Sequence, residues 1–133
     1  MDHSADELVA AAREALANAY VPYSEYEVGA ALLAGDGTVY TGANIENANY
    51  SNSLHAEEVA VSRAWMDGAR EFVAIAVSSG VRDGVTPCGM CRQTLAELCP
   101  GDMPVYCDEG ESVTEYSLGE LIPATISRET LGK

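Results

Sequence analysis

Two short motifs constrain the fold of this chain more than any other feature: His55-Ala56-Glu57 and Pro87-Cys88-Gly89-Met90-Cys91. Each stands where a run of helix-forming residues begins, so a fold that uses them together has to bring two helix starts to one point. Cys88 and Cys91 are three apart and share a helix face, His55 comes from the neighbouring helix start, and the three can grip one ion. A structural zinc usually closes its shell with four protein ligands, whereas a catalytic one keeps a position open for water. Three ligands plus the spare carboxylate of Glu57 fit the second arrangement. Helix amino termini also favour negative charge, which suits thiolate ligands.

The surrounding pattern predicts the order helix, strand, strand, helix, strand, helix, strand, strand. Ser4 followed by Glu7 reads as a capping box for a helix reaching about residue 19, with Leu8, Ala11, Ala12, Ala15 and Leu16 at helical spacing. Strands at 28–34 and 38–43 form a hairpin across Gly35-Asp36-Gly37, and Gly29 marks a place where another backbone comes close. Residues 44–53 are a polar loop. Helices are expected over 54–67 and 88–98, strands over 72–78, 105–107 and 113–116, and a helical turn over 118–122. This is an α/β pattern, a central mixed sheet with helices on its faces, in one domain over residues 1–133.

Charge narrows the function. The chain has 21 acidic and 7 basic residues, a net charge of -14, and Lys133 is its one lysine. Nucleic-acid binding needs a clustered basic face, and the six arginines are scattered along the sequence, so the expected partner is a small neutral substrate and no nucleic acid. The acidity itself reads as a solvated surface, with a high-salt habitat as one origin. No apolar run approaches the roughly 20 residues of a membrane span, so no membrane partner is expected. The amino terminus also lacks a basic region followed by an apolar stretch. A cytoplasmic location with reduced thiols follows as the expectation, which makes paired cysteines ligands or redox groups. Cys99 and Cys107 lack such company and read as small buried residues, and Trp65 as packing in the core or at a subunit contact.

A zinc held by two thiolates and a neutral imidazole has formal charge zero, and such coordination can bring the pKa of a water from 15.7 to roughly 7. Glu57 would then take the water's proton and pass it to the substrate. A lone histidine at a helix start is ordinarily a cap, and a lone Cys-x-x-Cys could equally be a redox pair. Together they match an already described order, His-x-Glu then Pro-Cys-x-x-Cys, the signature of zinc deaminases.

From residue 20 to residue 123 the chain resembles the cytidine deaminase family. Besides the two motifs, the resemblance rests on Pro22-Tyr23-Ser24, the run from Val28 to Leu33, Thr41-Gly42-Ala43-Asn44-Ile45-Glu46-Asn47-Ala48, Cys91-Arg92-Gln93 and Gly119-Glu120-Leu121-Ile122-Pro123. It implies a three-layer α/β/α fold with a five-stranded mixed sheet, a homotetramer, and a Zn2+ cofactor on His55, Cys88 and Cys91. The implied reaction is hydrolytic deamination of free cytidine and 2'-deoxycytidine to the uracil nucleosides in pyrimidine salvage, with Glu57 shuttling protons. Asn44 and Glu46 would bind ribose hydroxyls, the Ala56 backbone would contact the pyrimidine, and Tyr26 would line the base pocket. The residues alone leave loop capping open for Asn44 and Glu46.

The chain departs from the family pattern at three positions. Many short members have cysteine where His55 stands and arginine where Glu58 stands; the changes make sense as a pair, since an imidazole in place of a thiolate removes the charge an arginine would offset. Ile126 stands where an aromatic residue is frequent, which weakens base stacking from that position. Rival readings are a deaminase of another base or nucleoside analogue, a zinc-binding module in which Glu57 merely caps a helix, and a redox pair at Cys88 and Cys91.

Overall fold

The computed structural model describes residues 4–133. Its elements run α1 (Ala5–Ala15), a single 3-10 turn (Leu16–Asn18), β1 (Val28–Ala34), β2 (Val39–Ala43), α2 (Ala56–Met66), β3 (Phe72–Ser79), α3 (Gly89–Leu98), β4 (Pro104–Asp108), β5 (Val113–Ser117) and α4 (Leu118–Leu121), with a further 3-10 turn (Tyr50–Asn52) in the loop before α2. The first helix is shorter than its periodicity suggests because its last turn tightens at Leu16. Ser4 caps it as expected, its hydroxyl accepting the Glu7 backbone N–H at 3.1 Å.

The five strands form one mixed sheet in the order β2-β1-β3-β4-β5. β1 pairs antiparallel with both β2 and β3, and β3 pairs parallel with β4. It follows that β2, β3 and β4 all point the same way. α2 connects β2 to β3 and α3 connects β3 to β4, so both helices start beyond the carboxyl ends of parallel strands. That end of an open α/β sheet is where crevices for ligands form.

Alternation along the strands sorts the core into two halves. Ala30, Leu32, Ile75, Val77, Val105 and Cys107 pack with Ala56, Ala60 and Val61 of α2 and Leu95 of α3. The intervening residues Ala31, Leu33, Ala74 and Ala76 pack against Leu8, Val9 and Ala12 of α1. Helices therefore cover both faces, giving three layers as the resemblance implies. Small residues set the spacing: a Cβ on Gly29 would run into the Ala12 carbonyl of α1, which is the close backbone approach expected there.

One polar cluster ties the layers together. Asp108 at the end of β4 is buried, and its carboxylate accepts from Arg13 Nε at 2.7 Å and Nη2 at 2.6 Å, from the Ser78 hydroxyl at 2.7 Å and from the Gly110 N–H at 2.9 Å. These hydrogen bonds, the one from Arg13 foremost, hold the Asp108 pKa down to about 2 from 3.8. A carboxyl group with a depressed folded-state pKa stabilises the fold above its unfolded value, here by roughly 2 kcal/mol, and the contribution is lost as pH falls through about 2. Urea unfolding of metal-free protein between about pH 7 and about pH 2 should show this loss, and Asp108→Asn should flatten it; an unchanged pH slope in the variant would contradict it.

Candidate metal centre and active site

His55 and Cys88 are the residues immediately before α2 and α3, each in extended backbone conformation, with φ/ψ of -94/152 and -68/167. The helices thus start one to two residues later than their sequence pattern suggests. An extended residue at a helix entrance aims its side chain past the helix end rather than along its flank, and Cys91 lies on the first turn of α3 facing the same point. His55 Nδ1 stands 3.2 Å from Cys88 Sγ and 3.3 Å from Cys91 Sγ, and the three ligand atoms all lie within 4.8 Å of one another. Tetrahedral neighbours on a zinc ion are about 3.5 Å apart, so one nitrogen and two sulfurs at this spacing fit zinc in both geometry and chemistry. His55, Cys88 and Cys91 are positioned to form a metal site.

Glu57, two residues into α2, is 4% exposed. Burial pushes its carboxyl pKa up, while its own backbone N–H, His55 and Cys91 pull it part of the way back. A divalent cation on the neighbouring ligands acts in the same direction as those three, toward the carboxylate. Burial, and then Glu57, also push the Cys91 thiol up, so ligation there has to displace a proton. The cap of α2 is Glu58 rather than Glu57: Glu58 Oε1 accepts the His55 backbone N–H at 2.6 Å. The buried carboxylate is thereby free of the capping duty that the structural-zinc reading gave it.

His55, Glu57 and Cys88 line a cavity of about 410 Å³ together with Ser24, Tyr26, Val28, Asn44, Glu46, Ser53, Leu54, Ala56, Val85 and Thr86. Seven of the eight residues singled out from sequence line it, and the eighth, Cys91, is buried with its sulfur beside His55 Nδ1. Asn44 and Glu46 do structural work as well. Asn44 Oδ1 accepts from the Val28 N–H at 2.9 Å and its Nδ2 donates to the Tyr26 carbonyl at 2.8 Å, which fixes the segment carrying Tyr26. Glu46 Oε1 accepts the Tyr23 and Ser24 N–H groups, each at 3.0 Å. The Ser24 hydroxyl, then the backbone bonds, hold the Glu46 pKa below the usual carboxylate range. An amide and a carboxylate each retain capacity for further hydrogen bonds after these.

Two residues that the sequence reading gave no role prove to hold neighbouring segments, Arg92 beside the site and Gln93 toward the carboxyl-terminal segment. Arg92 donates from Nε to the Pro87 carbonyl at 2.7 Å and from Nη1 to the Leu121 carbonyl at 2.8 Å, fixing the approach to Cys88. Gln93 donates to the Ile126 carbonyl at 3.1 Å and accepts from the Thr125 hydroxyl at 3.0 Å. Their position directly after Cys91 was the only signal. Ile126 itself is 57% exposed and is not among the residues lining the cavity. Trp65 is partly exposed, with the Arg70 guanidinium 3.6 Å above its ring. Cys99 and Cys107 are buried as expected, and burial raises their thiols to about 12 and about 11.

A profile of the cytidine and deoxycytidylate deaminase zinc-binding region matches residues 2–107. The chain belongs to that deaminase family. A cytidine deaminase from Sporosarcina psychrophila is 46% identical over 95% of this chain and 93% of its own length. Another from Mycobacterium tuberculosis (strain H37Rv) is 39% identical over 90% and 87%. Among solved structures, the cytidine deaminase of Burkholderia pseudomallei superposes with a TM-score of 0.87 at 39% identity, covering 95% of this chain and all, 100%, of that one. The zinc-binding region that defines this deaminase family is the stretch in which His55, Cys88 and Cys91 come together.

Proposed function

We propose that the protein is a zinc-dependent cytidine deaminase that converts free cytidine and 2'-deoxycytidine to uridine and 2'-deoxyuridine with release of ammonia. The carrying observation is a buried carboxylate, Glu57, beside a one-nitrogen, two-sulfur ligand set on a cavity whose lining includes no lysine or arginine. A nucleoside suits such a cavity. A 5'-phosphate would lie at the ribose end, where Glu46 is the charged side chain and no lysine or arginine of the lining offsets its charge.

His55, Cys88 and Cys91 would hold a zinc ion, which would supply the Lewis acidity that lets water act as a nucleophile near neutral pH. Glu57 accepts the proton released as the water oxygen adds to C4 of the cytosine ring. It delivers that proton to the ring nitrogen, then takes the second proton from the C4 hydroxyl and passes it to the amine, so that the C4 carbonyl forms, the C4–N bond breaks and ammonia leaves. A carboxyl whose burial raises its pKa is suited to both duties, because a general acid-base group works best near the operating pH. Asn44 and Glu46 receive ribose hydroxyls with the hydrogen-bonding capacity left after their backbone contacts. Tyr26 lines the base pocket, and the Ala56 backbone at the first turn of α2 contacts the pyrimidine edge.

The catalytic domain spans residues 1–133 and assembles as a homotetramer, working in the cytoplasm in pyrimidine salvage. Support for assembly comes from exposed Leu54 on the cavity lining and from exposed Tyr23 and Tyr50, which line an adjoining hollow that shares Ser24, Glu46 and Ser53 with it. Among the described residues no helix is long and apolar enough to cross a membrane. The test is ammonia release from a panel of nucleosides and nucleotides across a size-exclusion profile. Cytidine and deoxycytidine should be turned over in the fraction of four-subunit mass, and deoxycytidine 5'-monophosphate at least ~10-fold less well. No ammonia from either nucleoside overturns the activity; turnover in a monomeric fraction overturns the assembly alone.

A further inference from the structure

Glu58 follows the buried Glu57 in the first turn of α2, and the structure gives it a specific contact. His55 is held by its backbone on both sides. Its carbonyl accepts the Val59 N–H at 3.0 Å as the first bond of α2, and its N–H donates to Glu58 Oε1 at 2.6 Å. The residue before it is fixed as well, since Leu54 exchanges both backbone hydrogen bonds with Ile45, at 2.8 and 3.0 Å. With the backbone set at φ -94 and ψ 152, side-chain rotation is the freedom left to His55, and its Nδ1 lies beside both sulfurs.

We propose that Glu58 is a positioning residue for the metal ligand His55, acting through the hydrogen bond from the His55 backbone N–H rather than through its charge. The role rests on the reading of His55, Cys88 and Cys91 as a zinc site. Groups that orient a ligand without touching the metal are commonly worth 10–100-fold in metal affinity. The contact also gives the exchange of arginine for glutamate a second basis besides charge. An arginine has donors only and cannot accept the His55 N–H, so Glu58→Arg would leave that N–H without its partner.

Three variants separate the possibilities. Glu58→Gln keeps an acceptor oxygen and removes the charge, Glu58→Ala removes both, and Ser4→Ala removes the cap of α1, a helix packed on the opposite face of the sheet from α2 and α3. Zinc affinity is measured by competition with a chromogenic chelator, at a temperature where circular dichroism shows each variant folded. Glu58→Ala should bind zinc about 10-fold more weakly, and Glu58→Gln within about threefold of the unaltered protein. Ser4→Ala should lower thermal stability and leave zinc affinity as it was. Glu58→Ala with unaltered zinc affinity overturns the proposal, and so does Glu58→Gln losing as much as Glu58→Ala. A parent protein that binds no zinc overturns the metal site itself and this role with it.

Discussion

Replacing Glu57 by glutamine is expected to lower kcat for cytidine about 10³-fold or more while zinc stays bound. The substitution is nearly isosteric, so the packing around this buried side chain is retained. An amide cannot take a proton from water and return it, and removing that capacity is the purpose of the change. Stability should not suffer. The carboxylate is desolvated where it sits and lies next in sequence to Glu58, whose charge works against its ionisation. A neutral amide there removes both costs, so the melting temperature should hold or rise. Zinc content, ammonia release and thermal unfolding measured on the same preparation decide the matter. Full activity in the variant would defeat the proton-transfer role. Loss of activity together with zinc would mean that Glu57 acts on the metal site instead.

The same experiment distinguishes catalysis from the reading in which the metal only supports the fold. That alternative needed Glu57 as a helix cap, and the structure gives the cap to Glu58. The two glutamates are adjacent and chemically identical; the His-x-Glu spacing singled out Glu57, but only the backbone shows which of them caps the helix. Their difference comes from the turn of the helix: one residue of rotation takes Glu57 inward against Cys91 and leaves Glu58 to reach back to the His55 N–H.

Regular segments were legible for a simple reason. β1 occupies the residues its apolar run predicts, because Gly35-Asp36-Gly37 closes it with a turn in which Asp36 Oδ1 accepts the Thr38 N–H at 3.0 Å. The ligand set was legible too, since histidine, glutamate and paired cysteines are scarce residues in a specific order. The loop of residues 44–53 was not. It is organised by single bridges from Ile45 to Tyr20 and to Leu54, which carry no periodicity, and the second of them keeps Leu54 out of α2. Asn44 and Glu46 likewise read as either ligand-binding or loop-capping residues. The structure shows why a choice was unnecessary: each spends part of its hydrogen-bonding capacity on the backbone and still borders the cavity. Arg92 stood in a block that carried the resemblance, but its structural role was not legible, because one of its partners, Leu121, lies far along the chain.

Gly42→Ala is expected to destabilise the protein by about 3 kcal/mol and to cut activity about 10²-fold, although residue 42 is not among those lining the cavity. Gly42 lies on β2 directly beneath the first turn of α2. A Cβ there would strike the Ala56 carbonyl and come within 2.6 Å of the Ala60 nitrogen and 3.1 Å of Val59 Cβ. Two of these three atoms belong to helix backbone, so no side-chain rotation relieves the clash and α2 has to lift from the sheet. Its first turn carries Ala56 and Glu57, and His55 is its entrance residue, so the displacement reaches ligand and acid together. An error of about 1 Å in such a group is enough for the activity loss given. Gly101→Ala is the matched control, because a Cβ at that position meets nothing within 4 Å. There the same change should alter stability by no more than about 1 kcal/mol, in either direction. Chemical unfolding, zinc affinity and ammonia release on both variants test the account. Gly42→Ala with wild-type stability would mean that α2 does not sit on β2 this closely, whereas lost stability with full activity would show that the helix entrance tolerates displacement.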